Sequence, residues 1–326
     1  MTRLGYQIPD FTYPGVDSGG LFAAVAAQAA AADRSGFDTV LLMDHFYQLP
    51  MLGEPDANML ECYTTLGALS QHTQTVRLGA LVTGNTYRNP ALLAKIVTAL
   101  DVVSGGRAQL GIGAGWFEFE HDSLGFEFGT FTDRFERLEE ALAIILPMLA
   151  DERVTFEGKR YQVAEAINHP APVGRIPVMI GGSGEKKTLR MVAQYADEAN
   201  FTCPLDEVGR KLDALAGHCD RLGRDRSQIT VSKQLNVCIA ETHDEAYADA
   251  VAFLQARGLD FESLDDDSKT VFLSMITLGD PDEVGEQLQG VLALGVDGFT
   301  CNLPANGQNP DRVELLGRTA RAVLDA

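Results

Sequence analysis

The sequence predicts an α/β fold, a (β/α)8 TIM barrel formed by a single domain over residues 1–326. Strand and helix patterns alternate almost from end to end of the chain, and we count eight strand–helix steps, the number that closes a barrel. The run Val40–Met43 is apolar at every position, as expected for a strand of a parallel sheet that helices cover on both faces.

The predicted strands are short runs rich in apolar residues, at 4–8, 40–43, 76–82, 108–112, 177–180, 198–201, 229–239 and 296–302. A helical stretch follows each strand, and in several of these stretches apolar residues recur every three or four positions, which predicts one buried face. The helices are expected at 19–34, which is rich in alanine, and at 59–72, 91–103, 133–149, from Glu185, 205–222, 243–257 and 310–324.

Three stretches interrupt this alternation, at about 116–130, 151–175 and 258–279. The first is aromatic and glycine-rich, the second contains a predicted hairpin around Gly158, and the third is acidic at 265–267. Loops on a barrel carry the function while the barrel supplies stability. We therefore expect these insertions at the face of the barrel where the strands have their carboxyl ends.

The composition excludes several partners and types of site. The net charge of −20 repels nucleic acids and anionic membranes. Five scattered cysteines without a CxxC pair predict neither a zinc site nor a disulfide framework, and they suit a reduced cytoplasm. No HExxH or GxSxG motif supports a metal hydrolase or a serine hydrolase. Without a signal-peptide pattern or an apolar run of 18 residues, we expect a cytoplasmic protein with no membrane span.

A carboxylate and an imidazole follow the second strand directly. Asp44 and His45 come after Met43, at the strand end where α/β barrels bind their ligands. An isolated Asp-His pair is also typical of a helix cap or a loop ion pair, but three later strands end in loops of the same unusual kind. Because an imidazole titrates near neutral pH, His45 is the candidate acid or base, and we expect Asp44 to set its orientation or tautomer.

A glycine-rich turn follows the fifth strand. Gly181-Gly182-Ser183-Gly184 lead into a predicted helix, whose backbone N–H groups and positive dipole end favour a phosphate. The alternative is a tight strand–helix turn that needs positive φ angles.

The third and fourth strands also end in unusual loops. At the end of the fourth strand, the glycines in residues 113–115 allow a flat ring to lie against the backbone. After the third strand, Asn89 and Pro90 are typical of a helix start. That reading does not explain residues 83–87, which include Thr83 and Tyr87.

Together these segments resemble the bacterial luciferase-like superfamily, most closely its branch that depends on the deazaflavin coenzyme F420. The resemblance runs in order over nearly the whole chain, through MDHF at 43–46, LVTGNTYRNPALLAK at 81–95, GGRAQLGIGAGW at 105–116, PVMIGGSGEKKTLRMVAQYAD at 177–197 and LGVDGFTCNLP at 294–304. It implies a barrel that binds its flavin or deazaflavin at the carboxyl ends of the strands. It also implies a homodimer, for which the helices at 59–72 and 91–103 are candidate interface elements, although ordinary barrel-packing helices have the same pattern.

The resemblance further implies roles for individual residues. The family's aspartate near the cofactor falls on Asp44, and its active-site histidine falls on His45. A non-prolyl cis peptide that supports the ring falls at Leu81–Val82, with Thr83 beside it as a further cofactor contact. The remaining implied contacts line the ring edge, at Gly113, Ala114 and Gly115, and hold the phosphate, at Gly181, Gly182, Ser183 and Gly184.

One position departs from the sugar-phosphate dehydrogenases of this superfamily. They have an acidic glutamate after the GxG of the fourth strand, where this chain has Trp116, which cannot exchange a proton. The difference argues against sugar-phosphate oxidation and predicts an aromatic wall for a less polar substrate, with Tyr87 as a second pocket residue. Glu118 and Glu120 follow Trp116 closely in the sequence.

The sequence thus predicts an oxidoreductase that transfers a hydride between coenzyme F420 and a small organic substrate, with His45 as acid or base. The expected substrates are an alcohol or ketone, or an activated alkene or imine. An FMN-dependent monooxygenase is the alternative, because both cofactors present a flat tricycle and a ribityl phosphate. A non-catalytic flavin- or deazaflavin-binding barrel is the second alternative, although a pure binder needs no titratable group at the ring.

Overall fold

A computed structural model describes residues 3–326, except for the side chain of Glu262. The strands are β1 Leu4–Ile8, β2 Thr39–Leu42, β3 Arg77–Ala80, β4 Thr83–Gly84, β5 Ala108–Gly113, β6 Val154–Glu157, β7 Gln162–Ala166, β8 Val178–Gly181, β9 Glu198–Phe201, β10 Thr230–Ile239, β11 Thr277–Gly279 and β12 Gly298–Asn302. The helices are α1 Leu21–Arg34, α2 Cys62–Leu69, α3 Pro90–Ser104, α4 Glu118–Leu124, α5 Phe131–Leu149, α6 Thr188–Tyr195, α7 Val208–Leu222, α8 His243–Gln255, α9 Asp266–Leu273, α10 Pro281–Leu292 and α11 Pro310–Asp325.

Eight parallel strands close into a barrel, which confirms the predicted fold class. Around the barrel the strands follow in the order β1, β2, β3, β5, β8, β9, β10 and β12, and β12 pairs again with β1. The short strand β4 continues β3 along the chain and pairs with β5. Helices lie between the strands in sequence, as a parallel sheet requires. The short strand β11 extends the sheet beside the carboxyl end of β10.

The barrel wall has an apolar outer face and a partly polar interior. Leu4, Tyr6 and Ile8 of β1 are fully buried in the main hydrophobic core. Gln7, between them, points across the barrel to Gln234 of β10, two strands away. Burying a leucine or isoleucine side chain is worth about 1.5–3 kcal/mol, so the outer layer supplies much of the stability and leaves the interior free for polar groups.

The third barrel strand is interrupted where the sequence predicted continuous strand over 76–82. Gly79 pairs with Gln109 and Thr83 pairs with Ile112, so four steps along this strand match three steps along β5. The extra residue forms a bulge at the mouth of the barrel, and bulges occur often beside active sites.

The insertions contain more regular structure than the sequence predicted. Helix α4 lies within 116–130, and the predicted hairpin is present as the antiparallel strands β6 and β7. Residues 258–279 include α9 and β11. Helix α10 was missed, although Asp280 and Glu283 form a capping box at its start and Pro281 occupies the first turn, signals that the sequence carried.

The described residues contain neither a cluster of metal ligands nor a membrane-spanning helix. No group of three or more His, Cys, Asp or Glu side chains there is arranged to hold a metal ion. In the same part of the chain, no helix has both the length and the apolar composition to cross a membrane.

Candidate active site

The predicted site residues lie at the carboxyl ends of four neighbouring strands. Asp44 and His45 follow β2, and the bulge follows β3, while the two glycine segments end β5 and β8, and these strands are consecutive in the barrel. Val82 lies across this edge. A Cβ atom built on Gly113 would lie 2.8 Å from a methyl group of Val82, and one built on Gly181 would lie 2.7 Å from the other. Glycine at both positions therefore makes room for Val82.

The peptide bond between Leu81 and Val82 is cis, as predicted. The carbonyl oxygen of Leu81 accepts a hydrogen bond of 3.1 Å from Gln7 Nε2. The side-chain oxygen of Gln7 in turn accepts bonds from Gln234 (2.7 Å) and Asn302 (3.2 Å). Side chains from three strands thus fix this carbonyl from inside the barrel. Support of a cofactor ring by the cis peptide stays a prediction.

His45 is held by a residue that the sequence did not single out. Its Nδ1 atom lies 2.8 Å from Oε2 of Glu120. The rings of Trp116 and Phe117 both meet the imidazole edge to face, with centroids 5.8 Å away. The imidazole therefore lies between a buried carboxylate and an aromatic wall.

Glu120 is fully buried and accepts four hydrogen bonds. Oε1 accepts the backbone N–H groups of Phe46 and Tyr47, and Oε2 accepts Nδ1–H of His45 and the hydroxyl of Tyr87 at 2.6 Å. Burial alone would raise the pKa of Glu120, but these bonds outweigh it and hold the pKa below its ordinary value. Glu120 is therefore a carboxylate near neutral pH.

The prediction that Asp44 orients His45 is wrong. Both oxygens of Asp44 are bound by Arg88, at 2.6 and 2.9 Å, and one also accepts the backbone N–H of Gly84 at 3.1 Å. Arg88 is further paired with Glu61. Burial raises the pKa of Asp44, and the charge and hydrogen bonds of Arg88 oppose that shift. Asp44 thus anchors the loop after β4.

The segment 83–87, which the predicted helix start at Asn89 does not account for, packs around Asp44 and Glu120. The hydroxyl of Thr83 lies 2.6 Å from that of Tyr63 on α2, so the Thr83 side chain contacts the helix layer of the barrel. Tyr87 binds Glu120 through its hydroxyl, and burial together with that bond raises the pKa of Tyr87. The Tyr87 ring packs against Phe46 and Phe126. Its role in a substrate pocket stays a prediction.

His121, next to Glu120, is fully buried and fixes helix α4 in place. Its Nδ1 lies 2.8 Å from the carbonyl oxygen of Phe117, and its Nε2 lies 2.7 Å from the hydroxyl of Thr86. The carbonyl requires a proton on Nδ1, so in the neutral ring Nε2 accepts from the hydroxyl. These contacts tie α4 to the loop after β4 and so place Glu120 against His45.

Trp116 is the most exposed aromatic residue beside His45, with 56% of its surface accessible. It stacks on Phe117, which in turn contacts Phe119, another exposed ring. Exposed apolar rings grouped at a barrel mouth are typical of a ligand-binding wall. The rings lie together as predicted, and their role as a wall for a less polar substrate stays a prediction.

The glycine turn after β8 differs in one detail from the prediction. Helix α6 begins at Thr188, three residues later than Glu185, after a turn over 185–187. Gly182 has a φ of +101°, and its N–H already donates to the carbonyl oxygen of Asn200. A Cβ on Gly184 would lie 3.0 Å from the hydroxyl of Thr188, so a larger residue there would have to displace the Thr188 side chain slightly.

Comparison with known proteins places the chain in a family. The model of the luciferase-like monooxygenase family matches residues 2–298. An F420-dependent glucose-6-phosphate dehydrogenase from Microbacterium testaceum is 33% identical over 66% of this chain and 64% of its own length, just under two thirds. A 5,10-methylenetetrahydromethanopterin reductase from Methanolobus tindarius is 26% identical over 90% of this chain and 94% of its own.

The fold agrees with a solved structure. A monooxygenase from Streptomyces bottropensis superposes with a TM-score of 0.80 at 18% identity, over 98% of this chain and 99% of its own. Since the family model covers most of the sequence, the chain belongs to the luciferase-like monooxygenase family.

Proposed function

We propose that this protein is an F420-dependent oxidoreductase that transfers a hydride between the deazaflavin and a small organic substrate. The sequence relatives from Microbacterium testaceum and Methanolobus tindarius support an oxidoreductase, and the first is F420-dependent by name. One observation carries the proposal. His45 lies at the barrel mouth with its Nδ1 atom bound to a buried carboxylate, beside the cis peptide Leu81–Val82 and the glycine turns of the neighbouring strand ends.

The residues present fit a flat cofactor that ends in a phosphate. The turn at 181–184 has a positive φ at Gly182 and is exposed at Gly184, so a ligand can reach its backbone. At the carboxyl end of β12, the buried Oδ1 atom of Asn302 has no hydrogen-bond partner among the described residues, and buried polar atoms normally have one. We assign the phosphate to this turn and the ring to the surface formed by Leu81–Val82 and residues 113–115.

When bound, a deazaflavin supplies a carbon that accepts or donates a hydride. The chain must then position the substrate, exclude water and move one proton. Nε2 of His45 is the atom assigned to the proton, because Nδ1 is taken by Glu120. Trp116 and Phe117 cover the imidazole and limit its contact with water.

The aromatic wall favours a substrate of low polarity. Trp116 occupies the place of the glutamate that the sugar-phosphate dehydrogenases use as an acid, and Phe119 extends the apolar surface. We propose an alcohol or ketone, or an activated alkene or imine, rather than a sugar phosphate. A ring or alkyl chain against these side chains gains affinity from the buried apolar area.

An FMN-dependent monooxygenase is the second candidate, because the matching family model is that of luciferase-like monooxygenases, and a monooxygenase from Streptomyces bottropensis is similar in fold. That similarity has 18% sequence identity, whereas the F420-dependent relative reaches 33%. The sequence relatives therefore favour F420 over FMN as the cofactor.

The test uses the single tryptophan of the chain as a reporter. Because Trp116 is exposed beside His45, ligand bound at the mouth should change its fluorescence. We expect micromolar or tighter binding of F420 and markedly weaker binding of FMN, each titrated into purified protein. Turnover of bound F420 with a panel of alcohols and ketones separates an enzyme from a binding barrel. Tight FMN binding, with oxygen consumption by the reduced flavin, would reverse the assignment.

We also propose a homodimer, as the family resemblance implies. Helix α3 carries a stripe of exposed or half-buried apolar residues over three turns, formed by Leu92, Ile96, Ala99 and Val103. Leu92 and Val103 are 54% and 52% exposed, and a second copy of the chain would cover them.

A further inference from the structure

Glu120 has a geometry that determines which nitrogen of His45 carries a proton. Its Oε1 atom is occupied by two backbone N–H groups, of Phe46 and Tyr47, which cannot rotate away. Its Oε2 atom faces Nδ1 of His45 at 2.8 Å and the hydroxyl of Tyr87 at 2.6 Å. A carboxylate only accepts hydrogen bonds, so all four neighbours must donate. Nδ1 of His45 therefore carries hydrogen.

The ionised state of Glu120 follows from the same contacts. A fully buried carboxyl with four donors is satisfied as an anion, and these donors lower its pKa despite burial. Asp44, the neighbour of His45 in sequence, has both oxygens bound by Arg88. The partner of the imidazole thus comes from the insertion at 116–130.

We propose that Glu120 is the positioning residue of the active site, which fixes His45 as the Nδ1–H tautomer and so confines proton exchange to Nε2. This rests on the proposed function for its consequence in catalysis. When a substrate alcohol is oxidised, its carbon gives up a hydride, for which F420 is the acceptor in the proposed function, and its hydroxyl proton passes to the lone pair on Nε2. Glu120 stays ionised and offsets the imidazolium charge. In the reverse direction the same proton returns from Nε2 to the substrate oxygen. Tyr87 holds Oε2 in place through its hydroxyl.

The substitution Glu120→Gln gives a specific result. The fixed backbone donors of Phe46 and Tyr47 retain the amide oxygen, which turns the amide NH2 group toward His45 and Tyr87. Nδ1 must then accept, so the proton moves to Nε2 and the tautomer inverts. A wrong tautomer removes the lone pair that takes the substrate proton, and we expect turnover to fall by about 10³–10⁴ with little change in KM.

The test measures the tautomer by NMR on protein labelled with 15N-histidine and free of cofactor. The chain has six histidines, and His45→Ala assigns the signal. We expect Nδ1–H in the wild type and Nε2–H in Glu120→Gln. Glu118→Gln, an exposed carboxyl on the same helix, is the matched control and should leave the wild-type tautomer. Tyr87→Phe should also retain Nδ1–H, because the bond from His45 persists.

An Nε2–H tautomer in the wild type overturns the proposal, whether or not Glu120→Gln folds. An unchanged Nδ1–H tautomer in folded Glu120→Gln overturns it too. Because these spectra need no cofactor, they stay decisive even where F420 fails to bind. A failure of the proposed function and a failure of this inference are therefore distinguishable.

Discussion

Nδ1 of His45 and Oε2 of Glu120 lie 2.8 Å apart, although 75 positions separate the two residues in sequence. One follows a barrel strand, and the other lies on a seven-residue helix within an insertion. The barrel therefore supplies the imidazole and the insertion supplies the group that holds it. We expect the two parts to make separable contributions, the strand end to proton exchange and the helix to the geometry of that exchange.

Replacement of His45 by alanine should lower turnover by about 10²–10⁴, the usual contribution of a positioned acid or base. Affinity for F420 should change little, because we assign the ring and phosphate contacts to other strands. Single-turnover hydride transfer and cofactor titration on the same variant measure the two effects separately. A normal transfer rate at saturating cofactor would remove His45 from the mechanism.

The glycine turn after β8 should not tolerate a branched side chain. At Gly182, φ is +101°, a conformation that valine rarely adopts. We expect Gly182→Val to weaken F420 binding at least about tenfold, which corresponds to about 1.4 kcal/mol. Gly67→Ala on α2, where an added Cβ would meet no atom within 4 Å, is the control and should bind F420 normally. Unchanged affinity in a Gly182→Val protein with native circular dichroism contradicts the phosphate assignment.

Stability should depend on pH through Glu120, whose pKa is lower in the folded protein than its ordinary value of 4.5. A carboxyl of this kind stabilises the fold above its unfolded pKa, and this contribution is lost as the pH falls. Near neutral pH, Glu120→Gln should lower the free energy of unfolding by about 3 kcal/mol, because buried donors lose a charged partner.

This difference should shrink progressively below about pH 4.5, where the unfolded chain takes up the proton first. Urea denaturation of wild type and variant across that range measures it. Glu118→Gln, exposed on the same helix, should show almost no difference at any pH. A pH-independent loss of stability in Glu120→Gln would point to packing rather than charge as the cause.

The apolar stripe on α3 should mediate dimer formation. Two charges introduced by Leu92→Asp and Val103→Asp together would have to be buried without partners, so we expect a monomer in sedimentation experiments. Val271→Asp, at a residue of α9 that is somewhat more exposed (61%), is the control and should stay dimeric. A wild-type monomer, or a dimer that survives both substitutions, rules out this interface.

Much of the barrel was predictable because its signals are local. An apolar run such as Val40–Met43 indicates a strand that is buried on both faces, and the regular spacing of apolar residues in α3 indicates one buried face of a helix. Both patterns depend on the local sequence alone. The capping box of Asp280 and Glu283 was equally local, so α10 could have been predicted. Helix α4 could not, because an aromatic, glycine-rich segment carries no clear helical spacing.

The sequence by itself determined which side chains reach the mouth of the barrel, since a residue that follows a parallel strand must lie at that edge. Tertiary structure alone decided their partners. Asp44 is adjacent to His45 in sequence but is bound by Arg88, 44 positions away, while His45 is bound by Glu120. The side chains of neighbouring residues in an extended chain point in opposite directions, so two residues that are adjacent in sequence need not share a partner or contact each other. The pairing depends on where separate loops meet above the closed barrel.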